Sequence, residues 1–512
     1  MGPASQAGPQ RMFILKHRTR SPLFFPAMLL ILLTAWPWGK TSTSPISVVQ
    51  AALEVNTALY MLPDWVSEGG DQGVEYGASV ASAGDINNDG FADVVVGAWK
   101  YYVNDERSGS AFVFLGGPSG LSQTLYKQLS PTEPNSYFGF SVCGAGDVNG
   151  DDFDDIIIGA PNHREPELES IGSAHLYLGS AAGINETPAW SKIGIGRASQ
   201  FGSTVCGVGD VNNDGFDDVL IAATTLSNPE INEGGVYLFL GSALGLSNDP
   251  AWMMEGNQSY AVFGYALAGL GDLNYDGYAD FAVSAPSFQN GTDEEQEGKV
   301  WVFYGAADVS TLAPVWSAEG NQYDARFGSA LDSAGDVNGD GYLDLIVGAR
   351  GYDDNLTDNG AAFVFYNNNG ELNPTPNWTD SGSQEFSGYG ISVAGLGDVN
   401  EDGYGDIAVG AHYYTDDQSK EGAVFVYRGS PVGVESSPTW QANGNKADTE
   451  FGYAIAAAGF VNNDTKADLI VGAPAYKKDE KIVMGRAYVF LGADASQVFV
   501  HRSYLPMLLT GH

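Results

Sequence analysis

Residues 336–344 read Asp-Val-Asn-Gly-Asp-Gly-Tyr-Leu-Asp. The pattern within them, Asp-x-Asn-x-Asp-Gly-aromatic-x-Asp, recurs along the whole chain. Copies begin at Asp85, Asp147, Asp210, Asp272, Asp336 and Asp398, and a degraded copy begins at Phe460. Successive copies are 62 to 64 residues apart. Seven evenly spaced copies imply a repeat architecture, in which one supersecondary unit is stacked on its neighbours.

The residue types in the pattern suit a hard cation. Side-chain oxygens at positions 1, 3, 5 and 9 and the backbone carbonyl of position 7 can converge if the chain curls sharply, which Gly at position 6 permits. Ca²⁺ takes about six to eight oxygen ligands in flexible geometry, whereas Mg²⁺ demands a stricter octahedron. No nitrogen or sulfur ligand is present, which argues against zinc or copper. The candidate ligands in the first three copies are Asp85, Asn87, Asp89, Phe91 and Asp93; Asp147, Asn149, Asp151, Phe153 and Asp155; and Asp210, Asn212, Asp214, Phe216 and Asp218. Those in the next three are Asp272, Asn274, Asp276, Tyr278 and Asp280; Asp336, Asn338, Asp340, Tyr342 and Asp344; and Asp398, Asn400, Asp402, Tyr404 and Asp406. The expectation is about six Ca²⁺ ions per chain.

Two copies depart from the pattern. The second has Asp152 in place of the turn Gly. The seventh, Phe460 to Asp468, lacks the first carboxylate and the turn Gly and has Lys466 at position 7. It is expected to keep its shape without holding Ca²⁺ well.

The loops are not EF-hands. Position 12 carries Val96, Ile158, Ile221, Val283, Val347 and Val409 in place of Glu. The flanks are Gly-punctuated apolar runs of strand length rather than helices. Before each loop stands an aromatic-Gly pair, from Tyr76-Gly77 to Phe451-Gly452, and after it Gly-Ala-Pro or a relative, such as Gly159-Ala160-Pro161. A further strand follows, such as 422–427, and then a Trp strand: Trp190, Trp252, Trp316, Trp378 and Trp440. Trp65 precedes the first unit, and Tyr126 replaces Trp in the second. Four short strands in about 62 residues predict an all-β, seven-bladed β-propeller of four-stranded antiparallel blades.

Phe-Gly, then the Asp loop, then Gly-Ala-Pro resembles the FG-GAP repeat, which builds the seven-bladed head of integrin α chains and occurs in bacterial surface and secreted proteins. The resemblance implies that the Ca²⁺ loops join strands one and two of each blade on one face. The loops joining strands two and three, and four to the next one, would lie opposite, on the face that binds partners in integrins. Even spacing leaves no room for an inserted domain, and no leg domains are read after the propeller. The resemblance is therefore to the module rather than to the receptor.

The expected organisation is a targeting segment at 1–44, a linker at 45–58, the propeller at 59–495 and a tail at 496–512. Arg11, Lys16, Arg18 and Arg20 precede an apolar run from Leu23 to Trp38, which reads as a secretory signal. Contact with a membrane is expected only if that segment stays uncleaved. In the simplest closure a strand around Leu59–Val66 completes the seventh blade; the alternative is Val498–His501. The net charge of −40 disfavours nucleic acid. The two cysteines, Cys143 and Cys206, occupy equivalent places in adjacent units. They read either as a disulfide between neighbouring inner strands or, as the sequence favours, as two small buried residues where other copies have Ala81, Ala268, Ala394 and Ala456.

No nucleophile elbow, HExxH or phosphate loop is present, so an enzyme is not expected. The expected function is an exported Ca²⁺-binding module for an extracellular protein or glycan ligand. A lectin is the first alternative and a Ca²⁺-dependent polysaccharide-degrading enzyme the second. The candidate ligand face is drawn from the variable loops: Trp99, Tyr101, Tyr102, Tyr352, His412, Tyr413, Tyr414 and Tyr476.

Overall fold

The computed structural model describes residues 63–492 apart from 71–72, 166–169, 195, 197, 291–295 and 479–481. The expected targeting segment, linker and tail, and the alternative closing strand at 498–501, lie outside the described residues.

Seven four-stranded antiparallel sheets form the blades of a propeller. Blade 2 shows the plan: Ser141–Gly146, Asp155–Ala160, Ser173–Tyr177 and Trp190–Ile193, in that spatial order. Each strand's composition follows from its distance from the axis. The first strands converge on the centre, where only small side chains fit, and they read Ser-Val-Ala-Ser-Ala-Gly or Ser-Val-Cys-Gly-Ala-Gly. The second strands are buried on both faces and read Asp-Val-Val-Val-Gly-Ala or Asp-Ile-Ile-Ile-Gly-Ala, as β-branched runs in doubly covered strands do. Among the described residues there is no α-helix, and a single 3₁₀ turn spans Val309–Thr311.

The chain's first described strand closes the ring. Trp65–Glu68 pairs antiparallel with Arg486–Phe490, with Trp65 opposite Val489 and Glu68 opposite Arg486, and so supplies the fourth strand of blade 7. The strand lies a few residues beyond the centre of the stretch expected from sequence. An Arg486–Glu68 ion pair and a hydrogen bond from the Leu491 amide to Asp64 Oδ2 (3.1 Å) reinforce the join. Closure removes the two free sheet edges that an open ring would expose.

The fourth-strand Trp of a blade packs edge-on against a third-strand aromatic of the next. Ring centroids are 4.8 Å apart for Trp65–Phe114, 5.3 Å for Trp252–Phe303, 5.0 Å for Trp378–Tyr427 and 5.1 Å for Trp440–Phe490. Several indoles also donate across the junction, as Trp65 Nε1 does to the Ser122 carbonyl at 2.9 Å. Where Tyr126 replaces Trp, its hydroxyl reaches the Ala182 carbonyl of the next blade at 2.9 Å. The glycine after each aromatic serves the same junctions. Gly139 has φ +79°, and a Cβ there would sit 2.5 Å from the Ser110 carbonyl oxygen of the preceding blade.

Trp65 belongs to the closing strand and latches blade 7 to blade 1, so Trp65→Ala should destabilise by about 3–5 kcal/mol, as large-to-small core changes do. Thermal or urea unfolding measures it. The fold carries a second, pH-dependent weakness at His175, which is buried in blade 2 between the hydroxyls of Ser173 and Ser191 (2.9 Å each). Burial lowers its pKa to about 4, with the Glu133 carboxylate opposing and His163 adding. The neutral form is therefore the folded form. Its stabilisation is complete above the unfolded value near 6.5 and is lost as pH falls towards 4. His175→Gln should be less stable than the parent at pH 7.5, and the gap should narrow steadily down to pH 4.

Candidate functional site

The Asp loops join the first and second strands of every blade and line up on one face. In the first loop Asp85 accepts the Asp89 amide at Oδ1 (3.0 Å) and the Gly90 amide at Oδ2 (2.7 Å). Asn87 Oδ1 also accepts the Asp89 amide (2.9 Å), and Asp89 Oδ1 accepts that of Phe91 (3.1 Å). Positions 1, 3 and 5 therefore hold their own loop closed by side-chain-to-backbone bonds. The same pattern recurs at Asp147, Asn149 and Asp151; at Asp210, Asn212 and Asp214; at Asp272, Asn274 and Asp276; and at Asp336, Asn338 and Asp340. Asp152 fills the missing glycine's place with φ +66°, and its amide donates to Asp147 Oδ2 at 2.8 Å as the glycines do.

The sixth loop differs in one ligand. The Asn400 amide group turns inward to Asp406 Oδ2 (3.1 Å), and Asn400 Oδ1 is buried without a hydrogen-bond partner. The seventh loop keeps its shape: Asn462 Oδ1 accepts the Asp464 amide (2.7 Å), and Asp464 Oδ1 accepts that of Lys466 (3.0 Å). Lys466 Nζ pairs with Glu401 of the neighbouring loop at 3.5 Å.

Position 9 behaves unlike the others. Asp93, Asp155, Asp218, Asp280, Asp344, Asp406 and Asp468 are all fully buried. One oxygen of each accepts the position-2 amide of its own loop, as Asp93 Oδ2 accepts Ile86 (3.1 Å). The other accepts an amide just past the third strand, as Asp93 Oδ1 accepts Gly116 (2.8 Å) and Asp344 Oδ1 accepts Asn367 (2.8 Å). Burial pushes all seven carboxyls up to about 7, the two backbone donors oppose it, and the nearby carboxylates add to it. In loops 1 to 6 those neighbours are the loop's own position-1 and position-5 Asp. Among the described residues no three His, Cys, Asp or Glu side chains are drawn together tightly enough to form a ready-made metal cluster.

Neighbouring loops are tied to one another. The position-8 amide donates to the position-1 carbonyl of the preceding loop at Asp154–Asp85 (3.2 Å), Asp217–Asp147 (3.2 Å), Ala279–Asp210 (3.0 Å) and Gly405–Asp336 (2.8 Å). The same bond joins Ala92 to Phe460 (2.9 Å), so the degraded loop is part of the chain of contacts.

The opposite face carries the loops between strands two and three and those entering each new blade. Glutamines stitch the two kinds together: Gln258 exchanges two bonds with the Gln289 backbone, Gln322 with Asp353 and Gln384 with Thr415. Of the residues expected here, Tyr101, Tyr352 and Tyr414 stand at matching positions and pack edge-on against the third-strand rings of Phe112, Phe363 and Phe425. Tyr476 lies under the Arg486 guanidinium at 3.5 Å. His412 is buried against Tyr413 and Tyr453, and its pKa is lowered to about 4 by burial and then by Arg350. Tyr102 and Tyr413 are exposed.

The sequence reading did not single out the residue that follows the aromatic-Gly pair. In blades 2, 4 and 7 it is Phe140, Tyr265 and Tyr453, all exposed. Trp99 packs on Tyr137 (4.9 Å) and Phe140 (5.5 Å), with Lys100 Nζ above it at 4.2 Å and paired to Glu75. The Tyr453 ring lies against the buried His412, edge-on at 5.8 Å. Tyr260, Tyr323 and Phe386 project from the blade-entry loops. A signal was available, because the position after aromatic-Gly is Phe or Tyr in three units and Ala, Ser or Ile in the others.

The FG-GAP repeat model matches residues 76–114, 138–177, 201–239, 263–303, 327–365 and 389–427. The chain is an FG-GAP repeat propeller. The matched segments run from the aromatic-Gly pair through the third strand of blades 1 to 6, and the degraded blade 7 lies outside them. Integrin alpha-8 of Gallus gallus is 34% identical over 232 residues, 43% of this chain and 21% of its own length. Integrin alpha-V of Gallus gallus is 32% identical over 273 residues, 50% and 25% respectively. Integrin alpha-5 of Xenopus laevis is 31% identical over 225 residues, 42% and 20%. The matched stretch of this chain thus spans a fifth to a quarter of the length of these relatives.

Because the position-9 Asp ties a loop to the third strand, its removal should hurt even in the degraded loop. Asp468→Ala leaves two buried amides without acceptors, at Val461 (3.0 Å) and Gly492 (2.9 Å). A loss of about 2–5 kcal/mol is expected. Urea unfolding in chelator checks that the effect is independent of metal.

Proposed function

We propose that this chain is an exported, Ca²⁺-stabilised FG-GAP propeller that acts as a cell-surface or extracellular binding module, and not as an enzyme. The observation that carries the reading is the aromatic collar around the axis, opposite the Asp loops. Phe140, Tyr265, Tyr413 and Tyr453 are exposed there, the half-buried Trp99 packs on Phe140, and Lys100, Lys420 and Glu75 bring charge beside them. Exposed aromatics flanked by Arg or Lys are the anchors on which protein interfaces concentrate their binding energy. The relatives are integrin α chains, and the family match is to the repeat that forms this face.

The test is binding of the purified propeller to a panel of extracellular matrix proteins and to a glycan array. Saturable binding to a protein is expected, and Trp99→Ala and Tyr453→Ala should each weaken it about tenfold or more. Leu244→Ser and Val432→Ser, exposed positions in the third-to-fourth-strand loops, should leave it unchanged. Binding that ignores the collar variants but follows the other face would overturn the assignment. Glycan binding alone would favour the lectin.

Calcium is part of the same proposal. Positions 1, 3, 5 and 9 and the position-7 carbonyl of loops 1 to 6 would hold the ions, an all-oxygen set that suits Ca²⁺. The fit is supported by the partnerless buried Asn400 Oδ1 and by three mutually repelling carboxylates in each loop. When bound, the cation supplies the charge that lets those carboxylates lie together. Each site filled at roughly 100 times its Kd would add about 2.7 kcal/mol. Metal analysis after gel filtration should find about six ions. Chelation should lower Tm strongly, Asp340→Ala should weaken the Ca²⁺-loaded protein, and Asp464→Ala should do much less. An unchanged Tm in chelator would remove Ca²⁺ from the account.

A further inference from the structure

The fifth residue after the aromatic of each aromatic-Gly pair comes to one level on the innermost strands. In blades 1 to 7 these residues are Ala81, Cys143, Cys206, Ala268, Asp332, Ala394 and Ala456. Four alanines, two thiols and one carboxylate thus form a single ring. A central cavity of about 540 Å³ runs beside it, lined in part by Cys143 and Asp332. Asp332 is held by the amides of Gly395 (3.1 Å) and Ser333 (2.9 Å), so its carboxylate has backbone partners of its own.

The two thiols stand apart from the rest of the ring because they are neighbours. The innermost strands of blades 2 and 3 lie so close that a Cβ on Gly207 would be 2.4 Å from the Gly144 carbonyl oxygen and 2.9 Å from Ala145 Cα. The Val205 amide crosses the junction to Ser141 Oγ at 3.1 Å. Cys143 packs against the cluster that contains Cys206, and both thiols are free in this structure. Cys206 is buried, with its Sγ donating to the Gly207 carbonyl at 3.2 Å, while Cys143 opens on the cavity. The remaining blades place Ala or Asp at this level, so blades 2 and 3 alone could be joined in this way.

We propose that Cys143 and Cys206 form a disulfide that staples blades 2 and 3 at the wall of the central channel. The proposal rests on the reading of the chain as exported, because disulfides persist in oxidising compartments. The oxidant is a small-molecule or protein disulfide. The Cys143 thiolate attacks one of its sulfurs, and the first thiolate leaves and takes up a proton. Cys206, giving up its proton, then attacks Cys143 Sγ and expels the second thiolate. Two thiols become one disulfide, and two electrons and two protons pass to the oxidant, which ends as two thiols. Cys143 is the entry point because it faces the cavity, whereas Cys206 is buried with its thiol donating to the Gly207 carbonyl.

The experiment uses the full chain and two preparations. One is isolated from the exported fraction; the other is made under reducing conditions and then treated with glutathione disulfide. Both are alkylated unfolded, before and after reduction, and weighed intact. Without reduction neither thiol should label, and a peptide pair linking 143 to 206 should appear. After reduction both should label. Reduction should also lower Tm of the wild type to that of the double variant Cys143→Ala/Cys206→Ala and leave the variant unmoved. The variant uses the residue of four other blades, which guards against misfolding. Two alkylatable thiols after treatment with glutathione disulfide would show that the geometry does not permit the bond and would overturn the proposal. A bond that closes in that treatment but is absent from the exported fraction overturns it as a property of the native protein. The chain's absence from any exported fraction would instead be the failure of the export reading. Thiols released by chelator rather than by reductant would assign the pair to a soft metal and sink the disulfide.

Discussion

A buried aspartate that accepts two backbone amides sets the shape of every blade. Its carboxylate bonds the start of the Asp loop on one side and the turn after the third strand on the other, as Asp155 does with Val148 (3.0 Å) and Gly179 (2.8 Å). A buried charge is costly unless hydrogen bonds compensate it. The carboxylate therefore holds the loop, the second strand and the third strand in one register. Asp468 makes the same pair of bonds in the loop whose other ligand positions have decayed. Position 9 thus has a structural duty separable from any metal.

The blades need one another as much as each needs its own aspartate. Trp and the glycine of the aromatic-Gly pair make the contacts between blades, and the position-8 amides make a second belt of contacts between loops. Repeat units of this kind couple chiefly to their neighbours. A cation gained or lost in one loop is therefore felt first in the adjoining loops. The strand Trp65–Glu68 turns that linear series into a ring by filling the last blade from the start of the chain.

The two faces divide the labour. One is acidic and closed by short local hydrogen bonds. The other presents rings and cations from loops that glutamines and buried acids hold in place, such as Glu233, which accepts the amides of Asn228 (2.6 Å) and Asn257 (3.0 Å). Rigid support for a variable loop is what lets it carry recognition. Tyr101, Tyr352 and Tyr414 give part of that support by packing on the blade, while Tyr413 and Tyr453 stay accessible.

The repeat, its period, the strand count and the all-β fold were legible in the chain, because Asp-Gly turns, aromatic-Gly pairs and β-branched runs are local signals that survive without tertiary context. The closing strand was legible as an alternative between two segments, and its register was not, since pairing between residues 65 and 489 has no local trace. The loop residues were legible by type. That position 9 would spend both oxygens on backbone amides was not, because one of its partners lies more than twenty residues on, at Gly116 for Asp93. The collar was the least legible. Phe140, Tyr265 and Tyr453 lie in non-adjacent blades, and although they share one place after the aromatic-Gly pair, their spacing does not say what each packs beside. The sequence by itself determined what each unit is, since that depends on residues a few positions apart. Only the tertiary structure decided what gathers at the axis, since that depends on the rotations of seven blades summing to a closed ring.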